Sequence, residues 1–333
     1  MTKLTICMPV YNCGKYLRRS IESILQQTYG DFILSIYDDG SVDESISVIK
    51  SFNDKRIKLI DGGENKGGLY ARTQLINALD TEYCMWCDAD DKFAHDKAFQ
   101  ISMNLMDSSG YDWIDFERFY EIHLDGSQCI CPPVECQWRV FKGSEFFALY
   151  YPNKTSNFLN SKIFRSELMK KCIPDEKYLG NKYVTHDIFF TVMWYFYTRS
   201  VLKAGIIPPL YSYFTNIGYF GSKQDDFSVE RTRKICIAFH DCLENALDKM
   251  MKTRELNRVE EQSLVKGMMF NPFVYRMGLI RRNCSSEVLE QHIDIIHEYF
   301  MKDGSHVLNG CDSLEMPSWI EMFEKTMRIG TGV

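Results

Sequence analysis

Apolar positions in the first ninety residues alternate between short continuous runs and stripes at helical spacing. Leu4–Val10 is an apolar run of strand length, and Leu17, Ile21, Ile24 and Leu25 then recur on one helical face, with Gly30 as a stop signal. Residues 32–37 make a second strand-like run, Ile46 and Ile49 line a second helix, and residues 57–60 make a third strand. Leu69, Leu75, Ile76 and Leu79 mark a third helix before a fourth strand over residues 83–87. Strand–helix units in series predict an α/β fold with a mixed, mostly parallel sheet flanked by helices.

From about Asp112 the pattern loosens. The alternation over residues 113–122 predicts one strand, residues 127–133 a loop, and residues 143–150 a short helix. Beyond Gly221 the chain reads as helical. Ile235, Phe239, Cys242, Ala246 and Met250 share one face. Leu289, Ile293, Ile296 and Phe300 give a second stripe, and Trp319, Phe323 and Met327 a third. This divides the chain into a principal domain over residues 1–224, with halves meeting near residue 110, and a helical region over residues 225–333.

Composition narrows the class. The 333 residues are enough for one large domain or two, and 45% hydrophobic with 25% charged residues reads as a soluble globular protein. A formal charge of −6 argues against a nucleic-acid partner, which requires a basic surface. The first apolar run is too short and too interrupted, by Pro9 and then Asn12, for a signal peptide. No stretch reaches the roughly 18 apolar residues of a membrane span. The twelve cysteines are scattered among apolar neighbours, which suits reduced thiols and a cytoplasmic setting. Strand alternation places Cys84 and Cys87 on opposite faces, and Cys129, Cys131 and Cys136 lack a fourth ligand at standard zinc spacing. Both groups read as ordinary thiols.

Sheets of this kind bind ligands at the carboxyl ends of their strands. Three polar segments occupy such positions: Tyr11-Asn12, Asp38-Asp39-Gly40-Ser41 and Asp88-Ala89-Asp90-Asp91. Alternate aspartates after a strand can aim carboxylates at one hard cation, leaving positions open for substrate phosphates. The plainer alternative is that Asp90-Asp91 caps a helix beginning near His95. At the second segment, Gly40 lets the backbone approach a ligand while an aspartate accepts a hydrogen bond from a base or ribose. Capping of the following helix by Ser41 or Asp43 is compatible with that.

In order, Met8-Pro-Val-Tyr-Asn12, Tyr16-Leu17, Ser23-Ile-Leu-Gln-Gln-Thr-Tyr29 and Asp38-Asp-Gly-Ser-Val-Asp43 resemble the family 2 glycosyltransferase pattern. Arg56-Ile57, Asn65-Lys-Gly-Gly68, Ala71-Arg72 and Asp88-Ala-Asp-Asp91 continue it. The resemblance covers about the first 95 residues. It implies a GT-A (Rossmann-like) fold, a nucleotide-diphospho-sugar donor with UDP ahead of GDP or dTDP, a divalent Mn²⁺ or Mg²⁺, and inversion at the anomeric carbon. Pro9, Tyr11 and Asp39 look like the nucleoside pocket with Asp38 beside it, and Arg72 resembles the basic residue near the diphosphate. Asp90 looks like the direct metal ligand, with Asp88 contacting the ribose or completing the metal's shell. Two departures, Phe32-Ile33 where the family has Glu and Thr73 where it has Asn, touch the donor pocket.

An inverting transfer needs a base for the acceptor hydroxyl. The family supplies it from a Glu-Asp pair, which His186-Asp187-Ile188-Phe189-Phe190 resembles, and Asn160-Ser-Lys-Ile-Phe-Arg165 resembles the segment before it. Asp187 is thereby the expected base, with His186 in the glutamate's place on the acceptor side. Asp91, also a candidate on that side, and Glu176 are the alternatives. The expected reaction is hexosyl or N-acetylhexosaminyl transfer to a glycan or lipid-linked saccharide in polysaccharide biosynthesis. The competing readings are an inactive nucleotide- or glycan-binding protein of the same fold and a nucleotidyltransferase. The latter should show a Gly-rich basic loop where this chain has Tyr11-Asn-Cys-Gly-Lys15. Arg276, Arg281 and Arg282, interleaved with Met277, Leu279 and Ile280, suit either helix packing or contact with an anionic membrane surface.

Overall fold

The computed structural model describes residues 2–131, 138–142, 159–180, 186–204, 207–215, 228–254 and 285–302. Strands β1 (Leu4–Val10), β2 (Phe32–Asp38), β3 (Ile57–Asp61) and β4 (Tyr83–Trp86) are linked by helices α1 (Gly14–Leu25), α2 (Ser45–Lys50) and α3 (Gly68–Asn77). All four strands are parallel, in the order β3-β2-β1-β4. Residues of β1 and β4 are almost all buried because helices cover both sheet faces, which is why these strands read as continuous apolar runs. In α1 the buried residues Leu17, Ser20, Ile21 and Ile24 follow the helical repeat and face the sheet.

The sheet continues with strands from later in the chain, in the order β4-β10-β6-β11-β9. These are β6 (Trp113–Asp115), β9 (Trp138–Lys142), β10 (Lys162–Arg165) and β11 (Ser200–Ala204). Strand β10 runs antiparallel to both β4 and β6, and β11 is parallel to β6. Against the sheet lie α4 (Ala98–Asp107), α5 (Ser166–Lys171) and α6 (His186–Tyr197). One core joins Ile6, Met8, Leu34 and Ile21 to Phe99, whose ring meets Phe32 and Phe93 edge-on at 5.2 and 4.8 Å. Each such buried side chain contributes about 1.5–3 kcal/mol. Cys87 lies in this core, whereas Cys84 does not, although both are buried.

A second sheet, β5-β12-β7-β8, departs from the sequence expectation. Its strands are β5 (Lys92–Phe93), β7 (Phe119–Ile122), β8 (Gln128–Cys131) and β12 (Tyr211–Phe214). The single strand expected over residues 113–122 is two strands in different sheets, separated by Glu117 at φ 55°. Apolar alternation is the same for one strand as for two in succession, and a non-glycine at positive φ leaves no trace in composition. The loop expected over residues 127–133 contains β8, paired antiparallel with β7 through a turn at Asp125-Gly126, with Gly126 at φ 83°. Asp-Gly between two runs is a hairpin signal. The helix expected over residues 143–150 lies outside the described residues.

The chain forms two compact units. The larger takes residues 1–147, 155–182 and 186–225 and holds both sheets. The smaller takes residues 148–154, 183–185 and 226–333. In it, α7 (Val229–Thr253) begins with Ser228, whose hydroxyl accepts from the Arg231 amide at 3.1 Å. Cys242, Ala246 and Met250 of α7 are buried, as are Leu289 and Ile293 of α8 (Ser286–Lys302). The side chains of Phe239, Ile296 and Phe300 and the stripe from Trp319 to Met327 lie outside the described residues, as do Arg276, Arg281 and Arg282. Among the described residues no helix is long and apolar enough to cross a membrane.

Candidate active site

Val10 pairs with Asp38 and Cys7 with Trp86, so β1, β2 and β4 end on one edge of the sheet. At the end of β2, Asp39 is buried, and its two carboxylate oxygens accept the amides of Lys66 and Gly67 at 2.9 and 2.8 Å. The turn is thereby tied to the loop before α3. Gly40 sits at φ 72°, and a Cβ there would stand 2.5 Å from the backbone of Glu64, so both conformation and contact demand glycine. Asp38 is fully buried: its Oδ2 accepts from the Ser41 amide at 2.9 Å, while Oδ1 has no partner among the described residues. An orphaned buried acceptor beside a strand-end turn is an uncommon feature that a ligand donor would satisfy.

Pro9 and Tyr11 flank this turn from β1, with Tyr11 38% exposed. Asn12, at φ 50°, locks the two turns together. Its amide donates to Ser41 Oγ at 2.9 Å, and its Oδ1 accepts from the Val42 amide at 2.9 Å. The capping alternative holds for Asp43, which accepts from the first amides of α1 and α2, Gly14 at 2.9 Å and Ser45 at 3.0 Å. Burial opposes the charge on Asp43, but hydrogen bonds from Ser45 and Gly14 hold its carboxyl below the usual range.

Beyond β4 the aspartates diverge. Asp88 is clamped: Oδ1 accepts from Arg72 Nη2 at 2.7 Å and Oδ2 from Asn160 Nδ2 at 2.8 Å. Arg72, on α3, is 3% exposed and lies over the Trp86 ring at 5.1 Å. Burial works against its charge, yet Asp88 and Asp187 raise its pKa. Its Nε and Nη1 are buried without partners among the described residues. Asp187, in the first turn of α6, places Oδ1 3.8 Å from Arg72 Nη2, with its side chain 43% exposed. His186 opens the same helix.

Asp90 and Asp91 do not cap a helix. Lys92–Phe93 follows as β5, and α4 begins only at Ala98, behind Lys97. The backbone of the triplet turns toward α1 instead, where Arg19 donates to the Asp90 carbonyl and the Ser20 hydroxyl reaches the carbonyls of Ala89 and Asp91. Asp91 faces inward, not toward an acceptor: it is 1% exposed, and its oxygens accept from Tyr211 OH and the Phe214 amide, each at 2.9 Å. Burial, then Asp90 and Asp88, push its carboxyl well above the usual range. Among the described residues no other group donates to the Asp90 carboxylate, and burial with the Asp88 charge raises its pKa to about 6.

Residues 5–127 match the family model Glycosyl transferase family 2. Over that span the chain is similar to the family 2 glycosyltransferases. Over 98 residues it is 43% identical to a teichoic acid poly(glycerol phosphate) polymerase of Staphylococcus epidermidis, covering 28% of this chain and 14% of that protein. Over 115 residues it is 32% identical to the UDP-Glc:alpha-D-GlcNAc-diphosphoundecaprenol beta-1,3-glucosyltransferase WfgD of Escherichia coli, covering 34% of this chain and 46% of that one. The chain therefore spans less than half the length of these two relatives. Among solved structures, S. aureus TarS 1–349 in complex with UDP-GlcNAc superposes with a TM-score of 0.64 at 16% identity, over 98% of this chain and 92% of that one. The fold is GT-A.

Within the matched span, Thr73 spends its hydroxyl on the Leu69 carbonyl of its own helix at 2.7 Å and is buried, so the departure at that position is internal to α3. Three side chains that build the site carry no role in the sequence reading, Arg19, Ser20 and Asn160, and a fourth, Tyr211, reads there only as an aromatic residue that either lines an acceptor cleft or packs. Asn160 was visible only as the first residue of a recognisable segment. Tyr211, whose OH accepts from the Asp88 amide at 3.1 Å and donates to Asp91, lies more than a hundred residues from both.

Proposed function

We propose that this chain is an inverting glycosyltransferase that moves a hexosyl or N-acetylhexosaminyl group from a nucleotide-diphospho-sugar to a hydroxyl of a glycan or lipid-linked saccharide, in polysaccharide assembly. The observation that carries it is the line Asp88–Arg72–Asp187. A strand-end carboxylate, a buried guanidinium with two unspent donors and a half-exposed carboxylate on a helix start adjoin one another. A UDP-sugar is favoured as donor, in keeping with the UDP-GlcNAc held by TarS and the UDP-Glc in the name of WfgD.

The residues divide the work. Pro9, Tyr11, Asp38 and Asp39 form the wall for the nucleoside, with Asp38 Oδ1 free to accept from it. Arg72 turns Nε and Nη1 to the diphosphate as charge develops on the leaving group. Asp187 takes the acceptor's proton while the acceptor oxygen bonds to the anomeric carbon and the bond to the diphosphate oxygen breaks. His186 stands beside it on the acceptor side. The donor set of Asp90 fits a hard divalent cation: its carboxylate receives no hydrogen bond from another described residue, and burial together with the Asp88 carboxylate disfavours its charge, which a bound cation would offset. Asp90, with Asp88 beside it, would hold Mn²⁺ or Mg²⁺, which would supply neutralisation of the departing diphosphate. Because Arg72 and Asn160 occupy both oxygens of Asp88, Asp90 is the principal ligand.

Residues 1–110 form the donor half of the catalytic domain and residues 111–224 the acceptor half, with residues 225–333 as a helical adjunct. We place the protein in the cytoplasm, where Arg276, Arg281 and Arg282 serve helix packing or, alternatively, contact with the inner face of the membrane; absence of flotation with anionic liposomes overturns the contact. The reaction itself is tested by screening UDP-, GDP- and dTDP-sugars with Mn²⁺ or Mg²⁺ by thermal shift, then assaying transfer. Asp187→Asn is expected to keep the donor-induced shift and lose about 10²–10⁴-fold in transfer rate, as removal of a general base does. Asp90→Ala should lose the metal-dependent part of the shift. Near-normal transfer by Asp187→Asn refutes the base assignment, and donor binding with no turnover in wild type favours the inactive binding protein.

A further inference from the structure

The β7–β8 hairpin brings together four side chains whose chemistry the glycosyl-transfer reading does not use. Glu121 and Cys129 are cross-strand partners, and Cys131 lies two residues from Cys129 on the same face of β8. His123 follows β7, its amide bonded to the Ser127 carbonyl at 2.9 Å. One ligand atom each from Glu121, His123 and Cys129 lie within 4.8 Å of one another. Cys129 Sγ stands 3.9 Å from His123 Nε2 and 3.8 Å from Cys131 Sγ, and Cys131 Sγ donates to Glu121 Oε2 at 2.9 Å. On a tetrahedral zinc, bond lengths of about 2.3 Å to sulfur and 2.0–2.1 Å to nitrogen imply edges of about 3.8 Å between two sulfurs and about 3.6 Å between sulfur and nitrogen. The two separations from Cys129 are near those edges.

A second observation points the same way. His123 Nδ1 lies 3.2 Å from Thr215 Oγ1, and that hydroxyl is itself 3.3 Å from the Ile122 carbonyl, to which it donates. With the hydroxyl donating to that carbonyl and accepting from Nδ1–H, the lone pair of the imidazole is left on Nε2, facing Cys129. Fixing the tautomer of a ligating histidine through its other nitrogen is how metal sites orient imidazole. The usual zinc spacing search misses the arrangement because the ligands come as Glu-x-His and Cys-x-Cys on two paired strands, brought together by register and not by one loop.

We infer that Glu121, His123, Cys129 and Cys131 form a zinc site on the β7–β8 hairpin, separate from the Asp88–Asp90 carboxylates. Thr215 acts as a positioning residue. The ion would tie β7 and β8 to the residue after β12, the strand whose Tyr211 and Phe214 hold Asp91.

Cobalt(II) serves as the probe, since only thiolate ligation gives sulfur-to-metal charge-transfer absorption. The reduced, chelator-treated full chain titrated with Co²⁺ is expected to develop that absorption together with tetrahedral d–d bands, saturating at one equivalent and collapsing when Zn²⁺ is added. Asp90→Ala should leave the signal intact. Cys129→Ser, at an exposed position, leaves Cys131 as the one thiolate and should weaken Co²⁺ binding and at least halve the charge-transfer signal, and His123→Gln should weaken it with an unchanged circular dichroism spectrum. Thr215→Val should weaken the affinity about 10–100-fold, the usual effect of removing such a partner. The inference is overturned by the absence of charge-transfer absorption in wild type, by undiminished absorption and affinity in both Cys129→Ser and His123→Gln, or by a Cys129–Cys131 disulfide in the chain isolated without reductant.

Discussion

At Asp90, burial and the Asp88 carboxylate both work against ionisation, and the side chain's folded pKa of about 6 stands above its ordinary 3.8. On the way up in pH the unfolded chain therefore releases this proton first. The stability contributed here is full below about pH 4 and is lost as pH rises toward about 6. Asp90→Asn removes that penalty, so without divalent metal the variant should melt above wild type at pH 7.5, the difference closing below pH 4. Added Mn²⁺ should reverse the order by stabilising wild type alone. A wild type that melts above the metal-free variant at neutral pH overturns the electrostatic account. Residues of this kind were legible as candidates because they follow strands, and acidic pairs there have no packing role. What separates Asp88, Asp90 and Asp91 was not legible. One is clamped by Arg72 and Asn160, one lacks a donor from another described residue, and one is held by Tyr211 and Phe214, and each distinction depends on partners distant in sequence.

Three adjacent strands of the large sheet are fastened by charge. Asp115 of β6 lies 3.6 Å from Lys162 of β10 and 3.6 Å from Lys203 of β11, and Lys203 reaches Glu117 at 3.0 Å. All but Glu117 are buried. Burial opposes the Asp115 charge, but the two lysines hold its carboxyl below the usual range, while burial pulls the Lys162 ammonium down. Asp115→Asn removes the carboxylate these cations share and should cost about 3–5 kcal/mol, the effect of breaking a buried ion pair, read as a lower urea midpoint. A change under about 1 kcal/mol would indicate that Glu117 alone compensates. This network also explains why the element boundaries after Asp112 were the least legible part of the fold. Glu117 at positive φ turns the chain from one sheet into the other, and the charges that stabilise the break look, in sequence, like the polar half of an alternating strand. Strands β1, β2 and β4 were legible because their residues are almost all buried and their runs are largely apolar.

Across the whole molecule, the motif-bearing segment and the part that completes the site are different stretches of chain. The family match ends at residue 127, yet Asn160, Asp187 and Tyr211 lie past it and are brought to the aspartates by β10, α6 and β12. Recognition of the family was thus possible from a third of the sequence, while the acceptor side rested on a two-residue resemblance. If donor and cation share the edge formed by β1, β2 and β4, their binding must be linked, each raising the affinity of the other by the same factor. UDP and Mn²⁺ together should then raise the melting temperature by more than the sum of their separate shifts. At a hundredfold excess over its dissociation constant, a single ligand contributes about 2.7 kcal/mol, which is readily resolved. Asp187→Asn should preserve the coupling, because that carboxylate serves the acceptor, whereas Asp90→Ala should reduce the combined shift to that of UDP alone. Strictly additive shifts in the wild type would mean that the cation and the nucleotide occupy separate sites, and the division of roles between Asp90 and Arg72 would fall with that result.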